Sequence, residues 1–233
     1  DITGDAYYVV KTRTDVGGTN YPGSEDPPPQ EMPIGDSVMD GWKEDAVDGG
    51  DYTGDMLIQD DADLGPIKIV GNLTISSQAI VTLKGTLWVT GNIIVQNNET
   101  AIQLDPGYGA NSGIIIADGS ILLENSIRIC GSEGYNETDK VCNAANDSYV
   151  MLASTQSGAD TVIMQNGASL NGLLYAPYGE LTLKNNVSLK EVTSYKMIVE
   201  NNTTVTYEEG LANLNFSSGP GGGWEIGRWQ EVE

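Results

Sequence analysis

Hydrophobic and polar residues alternate in short runs through most of residues 67–233, and the arrangement of the runs recurs. In Asn72-LTISSQAIVTL, Asn92-IIVQNNETAIQL, Ser120-ILLENSIRI, Glu180-LTLKNNVSL and Lys196-MIVENNTTVTY, an alternating segment leads into a polar pair and then a second alternating segment. Alternation with a period of two predicts half-buried β-strands. The polar pairs are Ser76-Ser77, Asn97-Asn98, Asn125-Ser126, Asn185-Asn186 and Asn201-Asn202. Asn tolerates the left-handed backbone that a sharp corner needs, and its amide can bond a neighbouring backbone group. Two copies also follow matching tetrads, Ile69-Val70-Gly71-Asn72 and Val89-Thr90-Gly91-Asn92, 20 residues apart.

A strand–corner–strand unit cannot bury its apolar face alone, so repeated units predict stacking of one on the next. The expectation is an all-β fold, a β-solenoid (β-helix), with Asn97, Asn98, Asn125, Asn185, Asn186, Asn201 and Asn202 forming a ladder at one corner. A β-sandwich also shows short alternating strands between turns. It has no reason to repeat one double-Asn corner. The copies are spaced by 20, 28, 60 and 16 residues, so excursions are expected around residues 130–147 and 156–172.

The first 66 residues differ. They carry 16 acidic and three basic side chains, a net of −13, against −9 for the longer remainder. Three regions are expected: a strand and Pro-rich arm over 1–35, a short helix and acidic connector over 36–66, and the solenoid with a C-terminal cap over 67–233. Tyr7, Tyr8, Val9 and Val10 form a strand-like run ahead of Pro27-Pro28-Pro29, which suits an extended linker. Such a strand could pair with a neighbouring subunit or fold back on its own chain. Asp36 can cap a helix with Val38, Met39, Trp42, Ala46 and Val47 on one side, ended by Gly49-Gly50. At the other end, Trp224, Ile226 and Trp229 follow a glycine-rich hinge and are candidates to cover the last turn of the stack.

Composition removes several kinds of chemistry. The formal net charge is −22 and there is no histidine. An acidic surface repels phosphate backbones, so nucleic-acid binding is not expected. Histidine-dependent triads and histidine-ligated metal sites are excluded. No apolar run approaches the ~18 residues of a membrane span. Asp60, Asp61 and Asp63 vaguely resemble a calcium loop without its closing Glu. No cofactor is expected, beyond weak Ca²⁺ association with so acidic a surface. Glu124, Glu180, Glu191 and Glu200 lack the basic neighbours of a polysaccharide-cleaving site, so the chain is not expected to be an enzyme.

Cys130 and Cys142 bracket a polar loop, which favours a disulfide over two buried thiols and implies an oxidising, extracellular or cell-surface setting. Eight Asn-x-Ser/Thr triplets occur. Those at Asn98, Asn186, Asn201 and Asn202 arise from Asn corners followed by Thr-rich strands. Asn136 and Asn146, and after them Asn72 and Asn215, are the glycosylation candidates that would make this a glycoprotein.

Several stretches resemble a known family. Gly65-PIKIVGNLTISSQAIVTLKGTLWVTGNI, Gly109-ANSGIIIADG, Leu174-YAPYGELTLKNN and Gly210-LANLNFSSGPGGGWEIGRWQEVE resemble β-helical surface proteins that accompany type IV pilus and pseudopilin gene sets, notably in candidate-phyla bacteria. The resemblance extends to Ala6-YYVVKTRTDVGG and Met39-DGWK. It implies a cell-surface structural protein, pilin-like in its associations, although the hydrophobic helix that typically opens family members is missing here. The coil pattern is more distantly similar to bactofilins. The expected role is a subunit or associate of an extracellular filament, partnered by its own copies or by other pilus components. The alternative is a cell-adhesion module whose aromatics, such as Tyr135, Tyr175 and Tyr178, bind surface glycans.

Overall fold

The computed structural model describes residues 4–8, 15–25, 32–144, 147–206, 215–219 and 222–225. It divides into two units, residues 1–33 and 34–233. In the first, β1 (Ala6–Tyr8) pairs in parallel with β2 (Asn20–Pro22), and Tyr7 stacks on Tyr21 with ring centroids 4.4 Å apart.

Among its described residues the second unit is mostly β, with one α-helix, α1 (Asp36–Asp48). Its strands come in triplets. The first is β3 (Asp51–Thr53), β4 (Met56–Ile58) and β5 (Ala62–Leu64), and the second is β6 (Ile67–Val70), β7 (Leu73–Ile75) and β8 (Ile80–Leu83). The third is β9 (Leu87–Val89), β10 (Ile93–Val95) and β11 (Ala101–Leu104). The fourth is β12 (Gly113–Ala117), β13 (Ile121–Leu123) and β14 (Arg128–Cys130), followed by a small hairpin, β15 (Tyr135–Asn136) and β16 (Val141–Cys142). The fifth is β17 (Val150–Ser154), β18 (Gly158–Gln165) and β19 (Ser169–Leu170). In the last two, one long strand serves as both first members: β20 (Gly172–Lys184) with β21 (Ser188–Leu189), then β22 (Glu191–Val199) with β23 (Thr204–Val205). A terminal hairpin joins β24 (Asn215–Gly219) to β25 (Gly222–Glu225).

Each triplet pairs in parallel, without register change at its core positions, with the triplet that follows. Inward-facing residues therefore form columns. Leu73, Ile93, Ile121, Val162 and Leu181 are consecutive members of one column, and all are buried. Aliphatic side chains repeating at strand spacing fill a narrow interior without large rings, which is why the chain needs only one Phe.

The strand stack begins at Asp51, so residues 51–64, expected to be part of an acidic connector, are its first triplet. Their alternation was hidden because aspartates occupy the outward and corner positions. Residues 156–172 are likewise no excursion: β18 and β19 supply a further copy of the unit, with Asn166-Gly167 at its corner, which explains the 60-residue gap. Residues 131–144 do leave the stack, in the β15–β16 hairpin.

Helix α1 starts after an extended Gly35 and stops at Gly49. Met39, Trp42 and Ala46 are buried, while Val38 and Val47 face outward. The helix lies against β6 and β9, and Trp42 meets the ring of Phe216 in β24 at 5.6 Å between centroids. Through β24 this second layer covers β12, which is buried at every position rather than alternately. The described part of the terminal hairpin therefore lies beside the fourth triplet and not over the last one, where Trp224 was expected. Phe216 bridges to Ser112 beside the fourth triplet, Trp224 lies opposite Phe216, and Ile226 and Trp229 fall outside the described residues.

Candidate functional site: the two ends of the strand stack

Two corner ladders hold successive triplets in register. At the first, Asp55 Oδ1 accepts from the backbone N–H and side-chain amide of Asn72 at 2.8 and 2.9 Å. Asn72 Oδ1 accepts from the Asn92 N–H at 2.8 Å, and Asn92 Oδ1 from the Ser120 N–H at 2.8 Å. Glycines precede each of these residues, and at Gly71, Gly91 and Gly119 the stacked backbones touch: a Cβ at Gly91 would lie 2.6 Å from the Gly71 carbonyl oxygen. The paired tetrads in the sequence were the middle of this ladder. Its ends, Gly54-Asp55 and Gly119-Ser120, depart from the tetrad because Asp and Ser replace Asn while keeping a side-chain oxygen.

The second ladder is the double-Asn corner. Asn125, Asn185, Asn186, Asn201 and Asn202 all have positive φ, between 38° and 64°. Side-chain amides connect Asn185 to Asn166 at 3.0 Å, Asn201 to Asn185 at 3.1 Å and Asn202 to Asn186 at 3.1 Å. In the third triplet the left-handed residues are Asn97 and Glu99, with Asn98 between them.

The other expected sites have definite places. Cys130 and Cys142 form a disulfide with Cα atoms 5.3 Å apart, tying the β15–β16 hairpin to β14. Asn136 caps a turn within that hairpin, its Oδ1 accepting from Thr138 and Asp139. The Asn72 side chain is committed to the ladder. Asn146, Val9, Val10 and the Asn215 side chain lie outside the described residues. Tyr7 and Tyr8 sit in β1, one edge of which is taken by β2. Of the presumed calcium loop, Asp61 accepts from the Ile80 N–H and Asp63 pairs with Lys84. Of the aromatics, Tyr175 is buried and donates to the Ile34 carbonyl at 2.6 Å. Burial pushes its phenol up to about 12. Tyr178 bonds Asp36.

A clamp unseen in the sequence secures α1. Asp118 accepts from Lys43 at 2.6 Å, from the Trp88 indole at 2.9 Å and from Thr155 at 3.0 Å. Lys43 and Lys68 both approach the Trp88 ring, at 5.3 and 4.3 Å from its centroid. These groups are far apart in sequence, so no local pattern announces them.

Among the described residues, β3, β4 and β5 at one end, and β22 and β23 at the other, have a strand neighbour on one side only. The interior columns run out to these edges. Met197 and Val199 are each 51% exposed and Val205 is 45% exposed, although their partners one triplet earlier, Leu181, Leu183 and Leu189, are buried. Tyr52 occupies an inward position at the opposite end and is 40% exposed. Burial also raises the Glu191 carboxyl in the last triplet above its ordinary value.

No protein-family model, curated protein or solved structure matches the chain. Among the described residues, no helix is long and apolar enough to cross a membrane.

Proposed function

We propose that the triplets are turns of a β-solenoid and that the chain is an extracellular structural protein. It acts as a subunit or associate of a pilus-like surface filament and assembles through its strand edges. The observation that carries this reading is the exposure of Met197, Val199 and Val205 at positions that are core in the preceding triplets. Covering such a half-exposed residue contributes about 1 kcal/mol, and an unpaired parallel edge is a template for another strand. The disulfide supports an oxidising location outside the cytosol. In this reading the protein is not an enzyme, and its acidic surface serves solubility.

Glycan adhesion is the second reading. It is favoured by a trough of about 720 Å³ beside the disulfide hairpin, lined by Arg128, Asn143, Asn171, Ser188 and Lys190 among others and, among the described residues, by no carboxylate. With Tyr175 buried, such binding would use these amides and cations rather than an aromatic platform.

Sedimentation of the purified protein over a range of concentrations tests the first reading. The wild type should assemble with rising concentration. Met197→Lys combined with Val199→Lys should remain monomeric with an unchanged far-ultraviolet dichroism spectrum. A wild type that stays monomeric, or a variant that assembles equally well, would defeat it.

A further inference from the structure

The register of the two edges says how copies would meet. Consider a second copy moved along the stack by one full set of triplets. Its Met56 falls beside Met197, its Ile58 beside Val199 and its Ala62 beside Val205, because these residues begin and end the same three inward columns. Tyr52 falls beside Ser194, a large ring against a small side chain. Both strands of each new pair would run parallel, as every pair within the stack does. Joining like ends would instead demand antiparallel pairing and would break the columns.

Charge selects the same arrangement. Residues 51–64 carry five aspartates (51, 55, 60, 61 and 63) and no basic residue. Two such ends brought together would crowd ten carboxylates against one another, and neither first triplet would bring the other a basic side chain. The last triplet carries Lys196, which pairs with Glu180 in the preceding triplet. By register, Asp55 of the second copy occupies the place directly beyond Lys196. The stack already contains this device: Lys84 lies between Asp63 of the preceding triplet and Asp105 of the following one.

Building on the proposed edge-mediated assembly, we infer that the partner of the last triplet is the first triplet of a second copy of this chain, docked head to tail with Asp55 against Lys196. The assembly is polar, and each subunit presents the same face along its length.

Cysteine cross-linking decides the polarity. Leu57 is exposed, faces outward, and lies in the same column as Ile198. Across the inferred junction these residues would be neighbouring strand partners, within the ~4.4–6.8 Å between Cα atoms that a disulfide spans. Both native cysteines are already paired, so no other thiol competes. Under mild oxidation, a mixture of Leu57→Cys and Ile198→Cys proteins should give covalent dimers, whereas either variant alone should give none. Lys196→Glu should raise the concentration needed for assembly about tenfold. Dimers from one variant alone would overturn the inference in favour of like-end contacts. Assembly without any cross-link in the mixture would overturn the register while leaving edge assembly standing. The absence of both assembly and cross-links would defeat the two together.

Discussion

Asn202 donates its side-chain amide to Asn186 Oδ1 at 3.1 Å, 16 residues earlier in the chain. Both residues have left-handed backbone, with φ of 59° and 64°. One residue type thus serves two needs at the corner: it tolerates the turn and it ties the turn to its neighbour.

Replacing Asn185 tests the ladder. Its φ is 62°, its amide donates to Asn166, and its oxygen accepts from Asn201. Asn185→Ala should destabilise by about 1–3 kcal/mol, combining left-handed strain with lost hydrogen bonds. Asn185→Gly relieves the strain and should cost less. Urea unfolding of the two variants measures the order, and an equal loss would remove the conformational part of the argument.

These corners also explain what could be read from the sequence. Polar pairs between alternating segments, Asn-Asn in three of the five copies, mark the all-β class and the copies at residues 72, 92, 120, 180 and 196. The pattern failed where a different residue performed the same task. Asn166-Gly167 completes a corner with glycine, and Asp55 heads a ladder with a carboxylate. Failure elsewhere had another origin. The Asp118 clamp on Lys43 and Trp88 joins residues 75 and 30 positions apart, and such contacts leave no local periodicity. The exposed ends were invisible for a third reason: Met197 and Val199 read as ordinary core residues until it is seen that, among the described residues, no strand lies beyond them.

Reduction of Cys130–Cys142 should loosen the hairpin more than the stack. With 12 residues of separation, the cross-link contributes about 2–3 kcal/mol in the chain-entropy picture. Hydrogen exchange after reduction should quicken first at residues 131–144. Protection unchanged there would mean that the bonds of Arg128 to the Lys140 carbonyl and of Asn143 to Glu133 hold the loop unaided.

Glu191 gives a pH dependence of definite sign. Burial raises its folded-state carboxyl above the ordinary value of 4.5. The folded state therefore binds this proton more tightly than the unfolded state. Its contribution to stability is fully present below the ordinary value and is lost as pH rises through the raised one. Glu191→Gln should be more stable than wild type at neutral pH, with the difference disappearing in acid. Melting curves across that window report it, and a constant difference at all pH values would exclude the burial effect.

Electron microscopy of the protein at increasing concentration addresses the central claim most directly. Seven triplets at the strand spacing of about 4.8 Å give an axial advance of about 34 Å per subunit. The account predicts filaments with that repeat, continuous in their parallel sheets and polar along their length. Isolated particles at every concentration, or filaments whose repeat requires subunits to meet through their sides, would contradict it.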